Sequence, residues 1–591
     1  MIPTQTLIHL ISDIGDLNFN QLDKADKGKK LNQFNITHGF SNTNTEVGTC
    51  YNKRRNEWSL LDLILCYFLN FLVAFKIIPN AISDRHAMVF AAFDYKKSHC
   101  KPPRKRMRCL SKEKISAIAI SIKNILTDFS SKFHNPNEHW RIIKDIIISC
   151  MDAHAPYKTV PLKASNNFPW IDKNYIGLSI KRDALYYKAT KYGSNLFWEN
   201  YKKIRNKCSS IFHKNKSSYF KNFIESTSVS SKKLWKKLGP YITPNKKSTL
   251  ISSQILINNV LNTDLHLANA FCNYFATITN SFKFIKLQNC HNYVKNFFQS
   301  NPRLNIFTKN KNIGFNLPDF NVDEVIKGLK ALTSNSGKGE SGIESSILIE
   351  AAETLGKPIT QLFNLILKSG IYPDEWKCAH ITPIFKGGKK SDLGNYRPIS
   401  ILSPISKLFE SLISAKIMDY LESNFMLHEA QFAYRKKTST EHAVLTMTEE
   451  WRKKLDLGLD VIALFLDLSK AFDTVDHEIL LEKLAYYNFH QNFILLIKSY
   501  LQNRSIKVKI NDSLSESLPI NVGVPQGSVL GPLLFIIYFN GFNFLQTKSM
   551  NFLYADDTTM SCFGHHIDLI TKEIENDLIL VEEWLENNRC S

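Results

Sequence analysis

Two apolar runs constrain this chain more than any other feature. One, DVIALFLDLS, places Asp467 near the end of an apolar stretch, and the other, MNFLYADDTTMSCF, sets Asp556 and Asp557 between two such stretches. Both are short and flanked by polar residues, so they read as strands, the first buried and the second a hairpin turning at Ala555-Asp556-Asp557. A carboxylate near the end of a buried strand is costly without a partner or a metal. Adjacent carboxylates repel unless a cation lies between them. If the two runs are neighbours in a sheet, Asp467 and Asp556 converge from 89 residues apart. Oxygen-only carboxylate sites suit Mg²⁺, which keeps waters and accepts substrate phosphates. Two such ions about 3.5–4 Å apart would activate a hydroxyl and steady a leaving group. By itself an Asp-Asp pair at a turn is expected by chance in a chain of this size; the second site is what gives it weight. Asp473 and Asp476 read as caps for a helix beginning near His477.

From Asp319 onward the texture is that of a globular α/β or α+β domain, with strands and helices alternating. FNVDEVIKGLKAL has helical spacing, and ITQLFNLILKSG ends on a glycine stop. AHITPIFKGGKK reads as a strand entering a glycine turn, and LSPISKLFESLISAKIMDYLES as a long amphipathic helix. Helix EILLEKLAYYNF follows the first apolar strand, then strands around IKVKI and LPINVG, then a helix after Pro525.

Charge is distributed unevenly. The net charge is +21, and between Lys158 and Lys247 twenty Lys/Arg face four Asp/Glu, so a polyanion is the natural partner. Aromatics such as Trp170, Tyr187, Tyr192, Trp198 and Trp235 are interleaved with these bases in mostly helical sequence. Two readings stay open: bases tracking phosphates with rings stacked on nucleobases, or a solvated basic face with its rings turned inward. A second cluster, KKSHCKPPRKRMR, reads as an interdomain linker or an import signal. The eleven cysteines include no CxxC pair, which excludes a zinc ribbon and fits a reducing compartment. The opening residues lack the basic start of a signal peptide. Leu60–Phe75 is interrupted by Asp62 and Asn70, so it reads as a core element rather than a membrane span.

In order, FLDLSKAFDTVDH, GVPQGSVLGPLLFIIYFN and FLYADDTT resemble motifs A, B and C of a reverse transcriptase. More narrowly they resemble the non-LTR (LINE-like, jockey-type) retrotransposon enzymes. IYPDEWKCAHITPIFKGG, NYRPISILSPISKLFESLI and HEAQFAYRKKTSTEHAV resemble further blocks of that family, with Ala433-Tyr434 standing where its pattern has Gly-Phe. The resemblance implies an RNA-directed DNA polymerase in which Asp467 and Asp556, supported by Asp557, hold two Mg²⁺ ions, with Mn²⁺ as a substitute. It implies that Lys386 and Arg397 grip the incoming triphosphate. Phe472 becomes a steric gate against a ribose 2′-hydroxyl, its plain alternative being a core phenylalanine. Gln526 supports the nascent pair, and Gly527 allows close backbone approach. RNA template, DNA primer or target DNA, and dNTPs are the implied partners, without stable membrane association. Nucleus or cytoplasm is the implied location.

At the start, IGDLNFNQLD, SLLDLIL and ISDRHAMVF resemble blocks of the apurinic-type endonuclease that precedes such polymerases. Asp16 and Asn18 would orient the scissile phosphate, with Asp84 and His86 at the last block, although Arg85 breaks a contiguous Ser-Asp-His. An active nuclease is not expected. The resemblance also implies a chain truncated at both ends, without a thumb. The expected architecture is a right-hand polymerase palm and fingers over 311–591. Before it come a partial endonuclease/exonuclease/phosphatase-like sandwich over 1–95, a basic linker over 96–110 and a helical basic connector over 111–310. Intron maturases and telomerase-like enzymes share the palm but not this lead. A reading from another class is a nucleic-acid-binding remnant without catalysis.

Overall fold

The structure is a computed structural model. It describes side chains for residues 106–126, 133–160, 168–223, 263–277, 288–304, 314–334 and 337–590, and strand backbone alone before residue 106. The chain divides into two compact units: residues 1–104 with 161–168, and residues 105–160 with 169–591. In the first unit the described strands pair antiparallel, Ile11–Asp16 with Asp62–Cys66 and Leu72–Ile78 with Met88–Phe93. The stretch containing Asp62 and Asn70 therefore supplies strands, and among the described residues no helix is long and apolar enough to cross a membrane.

The second unit is a mixed α/β fold. In chain order it carries α1 (Lys173–Tyr192), α2 (Asn195–Glu225), α3 (Asp264–Thr277), β1 (Cys378–Phe385), β2 (Tyr396–Ile401) and α4 (Pro404–Ser423). There follow β3 (Asp460–Leu466), α5 (His477–Tyr486), β4 (Arg504–Ile510), β5 (Ser513–Leu514), β6 (Leu518–Ile520), α6 (Leu530–Phe539), β7 (Met550–Tyr554), β8 (Asp557–Gly564) and α7 (Ile567–Asn587).

Two sheets organise these elements. In the five-stranded sheet β1 pairs antiparallel with β2 and parallel with β4, while β4 also pairs with β5 and β6. Side chains in β1 alternate inward and outward, as a half-buried strand requires. Its inner face packs Ile381, Tyr396, Ile506 and Val508 against Phe271 and Phe275 of α3. The three-stranded sheet has the order β3-β8-β7, all antiparallel. Between and behind the sheets lies the main core, with α6 inside it. Nine of that helix's ten residues are buried, the signature of a helix that is apolar on every side. Phe539 and Phe542 meet Trp584 of α7 edge-on at 5.3 and 5.6 Å.

Three local expectations need correction. Strand β3 is only partly buried, and Phe465 is 67% exposed: the sheet face that Phe465 occupies is left uncovered there, whereas β7, the other edge strand, buries Phe552 and Leu553. The basic stretch 96–110 is not all linker: Arg104–Arg108 is a strand. Arg108 is buried there, pairing with Asp152 at 2.7 Å, donating to the Ala155 carbonyl and lying over the Tyr157 ring. Finally, Asp473 is not a cap. Asp476 alone caps α5, accepting from the amides of Glu478 and Ile479 at 2.9 and 3.1 Å.

Candidate active site

The site grows from the three-stranded sheet. Leu466 of β3 sits opposite Thr558 of β8, and Tyr554 of β7 opposite Asp557. That register brings Asp467, one residue past β3, to the level of Asp557, and leaves Ala555-Asp556 as a two-residue turn. Ala555 takes φ +62°, a conformation a side chain disfavours. What holds it is Gln431, buried beneath, whose Oε1 accepts the amides of Ala433 and Ala555 at 3.0 and 3.1 Å. Phe432 and Leu553 complete the contact, the Phe432 amide donating to the Leu553 carbonyl and the Leu553 amide to the Ala430 carbonyl. Sequence reasoning missed Gln431; an uncharged amide inside HEAQFAY carries no local signal of such a role.

The charges of Asp467 and Asp557 act on Asp556. Burial raises the Asp556 carboxyl above the ordinary range, and the negative charges of Asp557 and Asp467 raise it further, while a backbone hydrogen bond and Arg397 pull it down. Asp467 and Asp557 are themselves exposed and Asp556 is half-buried. Tyr434, the departure noted in the sequence, also approaches the turn: burial raises its phenol, and Asp556 and Tyr554 add to the shift. Among the described residues no group of three His, Cys, Asp or Glu side chains encloses a metal. An all-oxygen set of carboxylates fits Mg²⁺ nonetheless, because that ion completes its shell with waters and phosphate oxygens.

Positive charge comes from the other sheet. Arg397 lies exposed on β2 opposite Ile384 of β1, and its charge reaches Asp556. Lys386 follows β1, exposed, its amide donating to the Asn395 carbonyl at 2.8 Å. Its charge reaches Asp473.

The loop before α6 is laced to the segment after β3. The Val524 amide donates to the Phe472 carbonyl and the Gly523 amide to the Val475 carbonyl, both at 2.8 Å. The Ser400 amide donates to the Gln526 carbonyl at 2.7 Å. Gly527 has φ +97°, and a β-carbon there would lie 2.9 Å from the Ser400 oxygen, so glycine is required. Phe472 is half-buried and stacks on Phe535 with centroids 4.7 Å apart. Gln526 donates through Nε2 to both carboxylate oxygens of Asp473, at 2.8 and 2.9 Å. These two groups help line a cavity of about 170 Å³ whose apolar wall includes Phe275, Ile381 and Ile506.

Of the nuclease-like residues, Asp16 ends the strand Ile11–Asp16. Its side chain, together with Asn18, Asp84 and His86, lies outside the described residues.

Residues 388–591 match the reverse transcriptase (RNA-dependent DNA polymerase) family. The chain is 27% identical over 325 residues to a probable RNA-directed DNA polymerase from transposon BS of Drosophila melanogaster, covering 54% of this chain and 35% of that one. It is 29% identical over 366 residues to the probable polymerase of the X-element of the same fly, covering 60% and 38%. To the RNA-directed DNA polymerase of its mobile element jockey it is 28% identical over 277 residues, covering 45% and 30%. The chain thus matches between 30% and 38% of the length of these relatives.

Proposed function

We propose, from a chain whose residues 388–591 match the reverse transcriptase family, that it is an RNA-directed DNA polymerase of a non-LTR retrotransposon. It adds deoxynucleotides to a primer 3′-hydroxyl on an RNA template. The observation that carries this reading is the convergence of Asp467, Asp556 and Asp557 at one end of the three-stranded sheet, with Arg397 in electrostatic reach. In this reading that sheet is the palm and the five-stranded sheet belongs to the fingers. Asp467 and Asp556 hold divalent cations, with Asp557 beside them. Bound Mg²⁺ supplies charge neutralisation on the triphosphate and makes the primer hydroxyl more acidic. Lys386 and Arg397 grip the phosphates through charge-assisted hydrogen bonds. Phe472 lies under the sugar, and Gln526 faces the nascent pair. Residues 1–95 are read as an endonuclease-like sandwich, a reading in keeping with the antiparallel pairing of its described strands, and no nuclease activity is expected of them.

The test is extension of oligo-dT on poly-rA with dTTP and Mg²⁺, beside an Asp556→Ala control. Loss of a metal-holding carboxylate removes several kcal/mol of charge stabilisation, so extension should fall by roughly three orders of magnitude or more. Extension that survives the substitution would remove Asp556 from the metal site.

A further inference from the structure

Two side chains from distant parts of the chain meet where the loop joining β1 to β2 approaches the turn after β3. Lys470 stands three residues past Asp467 in that turn and takes φ +56°, a left-handed conformation that a side chain disfavours. Its ammonium donates to the phenol oxygen of Tyr274 on α3 at 3.0 Å. Among the described residues that ammonium has no carboxylate partner. Helix α3 is fixed on the five-stranded sheet by Phe271, which meets Tyr396 of β2 edge-on at 4.9 Å. One turn further, Tyr274 lies against the β1–β2 loop: a β-carbon on Gly394 would stand 3.0 Å from its hydroxyl. That loop starts at Lys386, whose amide donates to the carbonyl of Asn395, the residue after Gly394. Asp392, on the same loop, accepts the Gly394 amide at 2.8 Å. The Tyr274 phenol, accepting from Lys470, keeps its own proton to give. Both side chains are half-exposed, so a ligand can reach the donors that they present.

We propose that Tyr274 and Lys470 form a binding pair for the terminal phosphates of the incoming triphosphate, with Tyr274 as the positioning residue that holds the ammonium. The inference rests on the polymerase reading and deepens it. A cation whose partner is neutral complements a phosphate, to which it gives charge-assisted hydrogen bonds. The surrounding charges indicate which phosphate. Lys470 and Lys386 both act on Asp473, whereas Arg397 acts on Asp556. Arg397 thus belongs with the reacting α-phosphate at the metal-holding carboxylates, and the two lysines with the tail beyond it. Helix α3 lies ahead of residues 388–591, the region that matches the family, so the site draws a side chain from outside that region.

The experiment reads binding without turnover. The full chain, with Mg²⁺ and a poly-rA/oligo-dT duplex ended by a dideoxynucleotide, is titrated with dTTP and with dTMP. The unaltered chain should prefer dTTP. Lys470→Ala should weaken dTTP by about tenfold to a hundredfold, the worth of a hydrogen bond to a charged group, and leave dTMP unchanged. Lys470→Arg, which keeps the charge, should restore most of that loss. Tyr274→Phe, smaller by one oxygen, should weaken dTTP by about three- to tenfold and also spare dTMP. Added to Lys470→Ala, the Tyr274 change should cost less than it does alone, because the two groups act together. In extension assays both losses should appear in KM, with kcat nearly constant. Equal weakening of dTTP and dTMP, or unchanged dTTP binding by Tyr274→Phe, overturns the proposal and leaves Tyr274 a packing residue. Should Lys470→Ala fail to fold, Tyr274→Phe decides it by the same comparison. A chain that binds neither nucleotide overturns the polymerase reading, and this proposal with it.

Discussion

Phe472 shows how one residue can serve two ends. One face of its ring stacks on Phe535 within the core, and the residue remains half-exposed. If its open edge lies beneath the sugar, a ribose 2′-hydroxyl clashes with it, and Phe472→Val opens that volume without touching the carboxylates. Selectivity for deoxynucleotides, measured as the ratio of the two kcat/KM values, should relax by roughly two to three orders of magnitude, equivalent to about 3–4 kcal/mol. Loss of the ring contact should also cost about 0.5–1.5 kcal/mol of stability beyond the lost burial. Ribonucleotide and deoxynucleotide rates that fall in proportion would make the ring a packing residue only. Asp473 and Asp476 teach a related lesson. Both sit in DTVDH, yet Asp476 caps α5 while Asp473 pairs with Gln526 from 53 residues away.

Among the elements, α6 is the most dependent on its surroundings. It is buried on every side, and its N-cap residue Val529 has no side-chain cap of its own. Glu410 of α4 supplies one from a distance. Wholly buried, it accepts the amides of Val529 and Leu530 at 2.8 and 3.1 Å, with the Ser406 hydroxyl at 3.1 Å on its other oxygen. A negative charge at a helix N-terminus is favoured by the aligned peptide dipoles. Glu410→Ala leaves two buried amides without an acceptor, so stability in a urea titration should drop by about 2–5 kcal/mol. Amide exchange at Val529 and Leu530 should speed up with it. Unchanged exchange at those two positions would mean that the helix start is held by other means. Because α6 begins just after Gly527, the same substitution should loosen the loop that carries Gln526.

At the scale of the whole molecule the basic hairpin α1–α2 stands apart in character. Its rings divide between the two readings left open by the sequence. Trp170 is buried against Phe212, Tyr219 and Phe220, whereas Tyr187 and Tyr192 are 64% and 62% exposed beside Lys191. Lys188, Lys202 and Lys203 are exposed as well. If this surface tracks single-stranded RNA through about four phosphates, affinity should fall roughly 50-fold between 50 and 200 mM salt. Replacing Lys188, Lys191, Lys202 and Lys203 by Ala should flatten that dependence, while Tyr187→Ala should weaken binding by about 1–3 kcal/mol. A salt response that is already flat in the unaltered chain would make the hairpin a solvated face.

The elements of the second unit were legible in the residue pattern because each rests on local forces. Apolar runs of strand length made β3, β7 and β8 readable, and Gly370, left-handed at φ +66°, stops a helix where ITQLFNLILKSG implied. Asp467, Asp556 and Asp557 could be named together, since a charge at the end of an apolar strand asks for a reason wherever the strand lies. Tertiary structure decided what those residues meet. The exposure of Phe465 on β3 depends on what packs against that face of the sheet, which no property of DVIALFLDLS determines. Gln431 under the turn, Glu410 at the start of α6 and Asp473 against Gln526 all join positions 53 to 124 residues apart. Such pairs leave no periodic trace in the chain, because a buried polar side chain takes its role from the partner that folding brings to it, and that partner is set by the packing of whole elements.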